Sequence, residues 1–369
     1  MKFNNHEVLL KRRFFFKSIL SSMISMGASA KNAFGEKMIK SKTPIDFQWP
    51  VQEPFLFCVH HYDYYPEGKA LGAIDPKHFK GRNMGQDFQV KDGFRLYHGQ
   101  DVPGFPVHPH RGFETITIVR KGYVDHADSL GAAGRYGEGD VQWMTAGAGV
   151  QHSEMFPLLH KDQKNTMELF QIWLNLPKKN KMVKPHFKML WADTIPLIQT
   201  ADKLTTVSLI CGDYGGKSFH QAPPDSWASD RNHQVNIMLI KIKPGGQFIY
   251  PGPSIPTNRT VYFFEGEEMN LNGEKIEKKT ALMVESQKEL KLQALSTEIE
   301  CLLLEAKPIG EPIVQHGPFV MTSREEIAQT FRDYQQTEFG GWPWPKRDMV
   351  HGEKIEKFAK YPDGKIERR

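Results

Sequence analysis

Short apolar runs between turn residues recur through most of this chain. Thr115-Ile116-Thr117-Ile118-Val119 alternates strictly, as does Val235-Asn236-Ile237-Met238-Leu239-Ile240-Lys241-Ile242. Such alternation predicts strands with one buried and one wetter face. Phe170-Gln171-Ile172-Trp173-Leu174, Thr260-Val261-Tyr262-Phe263-Phe264 and Ile299-Glu300-Cys301-Leu302-Leu303-Leu304 read as further strands. Gly137-Glu138-Gly139-Asp140, Gly245-Gly246 and Asn272-Gly273 supply turns. Many short strands at close spacing imply an all-β sandwich or barrel.

Past residue 310 the texture changes. Ser323 followed by Arg324-Glu325-Glu326 reads as a helix N-cap, and Ile327, Phe331 and Tyr334 recur at helical spacing. One amphipathic helix is expected over 323–337. Gly340-Gly341-Trp342-Pro343-Trp344-Pro345 excludes helix and predicts an extended tail pinned by its tryptophans. The polar stretch Pro177-Lys178-Lys179-Asn180-Lys181 marks an expected division near 180–185.

The length of 369 residues accommodates two domains, and 39% hydrophobic with 25% charged residues fits a globular chain. Of the net charge of +5, most belongs to the start, where Lys2, Lys11, Arg12, Arg13 and Lys17 face only Glu7. The remainder is close to neutral, which gives no basis for nucleic-acid binding. Cys58, Cys211 and Cys301 lie far apart without a CxxC, so neither a disulfide framework nor a cysteine metal site is expected.

Residues 1–30 read as an export leader of the twin-arginine type. Lys11-Arg12-Arg13-Phe14-Phe15-Phe16-Lys17 precedes a short apolar stretch and Ala28-Ser29-Ala30, a small-residue pattern suited to signal peptidase. The apolar stretch is too short to span a bilayer. A periplasmic location is expected, or a cytoplasmic one if the leader is not functional, with no membrane association after its removal. The twin-arginine route carries chains that are already folded.

The chemistry concentrates in two short pieces, His108-Pro109-His110-Arg111-Gly112-Phe113-Glu114 and Gln151-His152-Ser153-Glu154. Side chains at i and i+2 of a strand share a face, so His108 pairs with His110 and His152 with Glu154. On neighbouring strands these four groups would hold one metal. The donor set suits Fe(II), Cu(II), Ni(II), Mn(II) or Zn(II) and leaves positions open for a ligand. Glu154 is the candidate catalytic base. Glu114, four residues after His110, is placed either to join the ligands or to orient a histidine, and Arg111 either to orient a histidine or to cap a strand edge. At most one of His60 and His61 can face the pocket; Trp143 and Phe113 are expected to fill core. The stretch from about 66 to 100 is expected as a solvated excursion, with a lid or partner surface as the alternative.

These motifs carry a resemblance. His108-Pro109-His110-Arg111-Gly112-Phe113-Glu114-Thr115, Asp128-Ser129-Leu130-Gly131, Gly139-Asp140-Val141-Gln142-Trp143-Met144-Thr145-Ala146-Gly147 and His152-Ser153-Glu154-Met155 resemble the pirin family of the cupin superfamily. So do Trp173-Leu174-Asn175-Leu176-Pro177 and Glu311-Pro312-Ile313-Val314-Gln315-His316-Gly317-Pro318-Phe319-Val320-Met321. The resemblance implies a bicupin of two tandem antiparallel β-barrels. The first, over 45–180, would hold one divalent metal, most readily iron, on His108, His110, His152 and Glu154. The second, over 181–310, would lack metal, and 311–369 would form the helix and tail. It further implies a dioxygenase that opens the heterocyclic ring of flavonols such as quercetin. The alternative is a non-enzymatic, iron-dependent redox-sensing module that meets a protein partner. An exported chain fits poorly with a nuclear role.

Overall fold

Alternation in the sequence sorts side chains between two environments. In the strand Phe113–Lys121, Ile116 and Ile118 pack outward into an apolar core, while Thr117 turns inward and bonds Glu154 and Gln171. The computed structural model describes residues 37–369, so the expected leader over 1–30 lies outside the described residues.

The first ten strands are β1 (Ile39–Pro44), β2 (Phe55–Tyr65), β3 (Gly104–His110), β4 (Phe113–Lys121), β5 (Tyr123–Asp128), β6 (Ala133–Gly137), β7 (Val141–Thr145), β8 (Val150–Met155), β9 (Asn165–Asn175) and β10 (His186–Leu190). One sheet has the order β10-β7-β4-β9-β2, and its companion runs β6-β5-β8-β3. The companion is extended beyond β6 by the C-terminal strands Phe358–Lys360 and Ile366–Arg368. A second pair of sheets is built mainly from later residues. Its larger sheet contains Thr205–Tyr214, Asn236–Ile242, Asn258–Glu265, Thr280–Val284 and Ile299–Ala306. Its smaller sheet contains Gln247–Tyr250, Glu268–Leu271, Glu274–Glu277 and Leu290–Ala294. The all-β, two-barrel architecture expected from the pattern is therefore present.

The barrels meet face to face. Ile116, Ile118, Phe170, Ile172 and Leu174 join Ile210, Ile237, Tyr262, Leu302 and Leu304 in one buried cluster. Burying such faces is the main favourable term holding the pair together. The two interiors differ. Leu209, Met238, Ile240, Phe248, Phe263, Leu271, Leu292 and Leu303 fill the second barrel. Histidines, Glu154, Thr117, Gln142 and Gln171 line the first.

Strand pairing crosses the expected division near 180. Strand β1 pairs with Thr280–Val284 in the second barrel, whereas β10 pairs with β7 in the first. Alternation identifies a strand but does not name its partner, so these exchanges carry no local signature. The charged stretch before β10 is not simply a surface linker. Lys181 is 1% exposed and donates to the Gly112 carbonyl (2.8 Å), Asn175 Oδ1 (2.7 Å) and the Val320 carbonyl (3.1 Å).

The stretch 66–100 is solvated over much of its length, as expected, but is anchored at several points. Ile74, Phe94, Leu96 and Tyr97 pack with Tyr65, Phe156 and Leu158, and Arg95 pairs with the buried Asp63. The helix α1 (Arg324–Thr337) begins as expected, with a reciprocal capping box between Ser323 and Glu326. No helix among the described residues is long and apolar enough to cross a membrane.

Candidate metal centre

Antiparallel pairing of β3 with β8 sets His108 opposite His152 and Phe105 opposite Glu154. On its other side, β8 pairs with β5, which sets His126 opposite Glu154 and Asp128 opposite His152. The i/i+2 rule thus turns His108, His110, His152 and Glu154 toward one interior.

Three of the four predicted residues converge closely. One ring nitrogen each from His108, His110 and His152 lies within 4.8 Å of the others. Ring centroids are 4.8 Å apart for His108–His110, 4.5 Å for His108–His152 and 4.9 Å for His110–His152. Glu154 adjoins rather than joins this triangle, its Oε2 lying 3.7 Å from His152 Nε2. Its Oε1 accepts from Thr117 Oγ1 at 3.0 Å.

The donor chemistry fits a cation. His108 Nδ1 donates to the Pro106 carbonyl at 2.9 Å, which fixes the tautomer and leaves the Nε2 lone pair available. His110 Nδ1 and both ring nitrogens of His152 are buried without a hydrogen-bond partner. Buried polar atoms left so are uncommon and costly, and a bound metal ion would answer that need. Burial first, then the neighbouring imidazoles, holds His110 and His152 well below the ordinary histidine value, so both present neutral lone pairs. Burial pushes Glu154 up, against the opposing pull of His126 and of hydrogen bonds from Thr117 and Tyr136.

The other sequence-predicted residues settle into different roles. Glu114 does not orient a histidine. Its carboxyl accepts from Thr145 Oγ1 at 2.6 Å and from Ser226 Oγ at 2.5 Å, and so bridges the two barrels. Burial pushes it up to about 7, against the opposing Ser226 and Thr145 hydrogen bonds. Arg111 donates to the Ala148 carbonyl and to Asp333 of α1 and lies over the Phe339 ring, which ties the C-terminal helix to the strand end after His110. His61 faces Tyr97, whose hydroxyl is 2.8 Å from Nδ1, and His60 lies beside Glu168. Trp143 is core; Phe113 is buried, yet its ring lies 5.2 Å from that of His110.

His126 was missed by sequence reasoning. It is fully buried, with its ring 5.4 Å from that of His152, and Nε2 lies 3.2 Å from Asp128 Oδ2. The available signal was His126-Ala127-Asp128, the same i/i+2 spacing as the ligand pairs, just ahead of Ser129-Leu130-Gly131.

The pirin family model matches residues 71–174, and the pirin C-terminal cupin domain matches 237–340. A Pseudomonas aeruginosa protein provisionally named a quercetin 2,3-dioxygenase is 36% identical over 242 residues, covering 65% of this chain and 80% of that protein. The chain belongs to the pirin family. A pirin-like protein of Caulobacter vibrioides is 34% identical over 236 residues, covering 64% of this chain and 80% of the relative. The crystal structure of quercetin 2,3-dioxygenase from Acinetobacter baumannii superposes with a TM-score of 0.65 at 25% identity, covering 82% of this chain and 98% of that one. The family match begins at residue 71, inside the stretch 66–100.

Proposed function

We propose that this pirin is a mononuclear metal dioxygenase that opens the heterocyclic ring of a flavonol. The observation that carries the reading is the buried triangle of His108, His110 and His152, with unpaired ring nitrogens and a carboxylate beside it. His108, His110 and His152 would hold the ion, with Glu154 as the fourth ligand. A bound divalent metal, iron foremost and Cu, Ni, Mn or Zn as alternatives, would polarise a chelating substrate and bring it together with dioxygen.

The protein's own residues do the rest. Glu154 accepts the proton of the flavonol 3-hydroxyl, steadied by the Thr117 hydroxyl and by Tyr136. Burial of the site strengthens these electrostatic effects relative to water. The names of the relatives support flavonol-type chemistry.

Anaerobic addition of quercetin to the metal-loaded protein tests the reading. A shift of the flavonol spectrum that is lost in Glu154→Ala, followed by turnover when air is admitted, is the expected result. Metal-loaded protein that shows neither response contradicts it and leaves the redox-sensing alternative. We further propose that residues 1–30 direct export to the periplasm by the twin-arginine route. A reporter fused to them should leave the cytoplasm only while Arg12 and Arg13 are intact.

A further inference from the structure

Strand β9 inverts the usual relation between burial and side. Its outward residues Phe170, Ile172 and Leu174 are fully buried, because they pack against the second barrel. Its inward residues Gln171 and Trp173 retain accessible surface. The solvent-reachable side of this strand is therefore the interior of the first barrel, where Gln171 is joined through Thr117 to Glu154. The partly exposed Trp173 reaches from this side to the histidine triangle, its ring beside that of His110.

Trp173 packs among aromatic rings next to the candidate ligands. Its ring centroid lies 5.5 Å from that of His110, 4.4 Å from Phe113 and 4.7 Å from Phe57, its direct cross-strand neighbour on β2. Phe57 likewise retains accessible surface. The Trp173 indole nitrogen has no hydrogen-bond partner, so packing against these rings is what positions the indole. A large, partly exposed aromatic beside candidate metal ligands is the arrangement that favours a flat, π-rich molecule over a small aliphatic one.

We propose that Trp173, backed by Phe57 and Phe113, is the specificity-determining residue of this site. It stacks on a planar aromatic ligand whose adjacent oxygens reach the histidine triangle. The inference rests on the metal-site reading and names the ligand class that the site accepts.

The test compares two oxygen chelators on anaerobically Fe(II)-loaded full-length protein, with binding followed by absorbance. One is planar and aromatic, 3-hydroxyflavone; the other is small and aliphatic, acetohydroxamate. In Trp173→Leu, metal content and acetohydroxamate affinity should stay within about twofold of wild type, while 3-hydroxyflavone weakens about tenfold. Trp173→Phe, which keeps an aromatic face, should recover part of that loss. Unchanged flavone affinity in Trp173→Leu overturns this inference and leaves the metal reading standing. Equal weakening of both chelators also overturns it, because the ring would then act only by supporting the ligands. Wild-type protein that takes up no metal overturns both.

Discussion

His108 and His152 stand directly opposite each other across the β3–β8 ladder, with ring centroids 4.5 Å apart. That relation depends on register, since a slip of one residue turns every side chain of a strand to the other face. The two strands approach closely at Gly104, which has φ +130° and whose Cβ, if present, would meet the Glu154 carbonyl at 2.5 Å and Met155 Cα at 2.8 Å; between there and His108 the register shifts. Gly104→Ala is expected to lower stability by about 2 kcal/mol or more and to weaken metal retention. Denaturant melts and metal content together check this.

Glu114 couples the barrels through a buried carboxyl. Its folded-state value, about 7, lies above the ordinary 4.5, so the folded protein binds the extra proton between those limits. The stability this group contributes is present at low pH and is lost as pH rises from 4.5 through about 7. Glu114→Gln cannot ionise. Its stability relative to wild type should therefore increase from pH 5 to pH 8, by on the order of 2 kcal/mol. Parallel melts of the two proteins across that range measure the difference, and a flat difference counts against the assignment.

The histidines titrate in the opposite sense. His110 and His152 are held neutral in the fold, so the unfolded chain takes up protons first as pH falls below the ordinary 6.5. Their contribution is present above 6.5 and is lost as pH falls below it. Metal-free wild type should lose thermal stability between pH 7 and pH 5 more steeply than the double variant His110→Gln/His152→Gln. A bound metal should raise the melting temperature at pH 7 and release as the pH falls.

The chain beyond the family match at residue 340 straps the sheet that carries all four candidate ligands. Val107 N donates to the Arg347 carbonyl at one edge, and Phe358–Lys360 pairs with β6 at the other. Between them, Trp344 Nε1 donates to the Asp128 carbonyl, and His351 Nε2 lies 2.7 Å from the His126 carbonyl. Ending the chain after residue 341 should lower the melting temperature by several degrees and speed metal loss to a chelator. A truncated protein with wild-type melting and metal retention contradicts a role for the strap.

Much of the site was legible in local sequence. The spacing of His108 with His110 and of His152 with Glu154 is a property of any strand, and the fold supplied only the adjacency of β3 and β8. The capping box at Ser323 was legible for the same reason. What the sequence hid depends on distant partners. Glu114 looked like a companion of the histidines because it follows His110 by four residues, yet its partner Ser226 comes from a distant part of the chain. Lys181 looked like surface because its three carbonyl acceptors are assembled only in the fold. His126 was overlooked although its i/i+2 spacing to Asp128 was legible, because only the ladder shows that it stands opposite Glu154.

The claim beneath all of this is that three imidazoles on two paired strands hold one cation. Anaerobic loading with Fe(II), removal of excess and elemental analysis of wild type beside His152→Ala tests it most directly. About one metal ion per wild-type chain and near none in the variant, with both proteins folded by circular dichroism, is the predicted result. Equal metal content in the two proteins would contradict it.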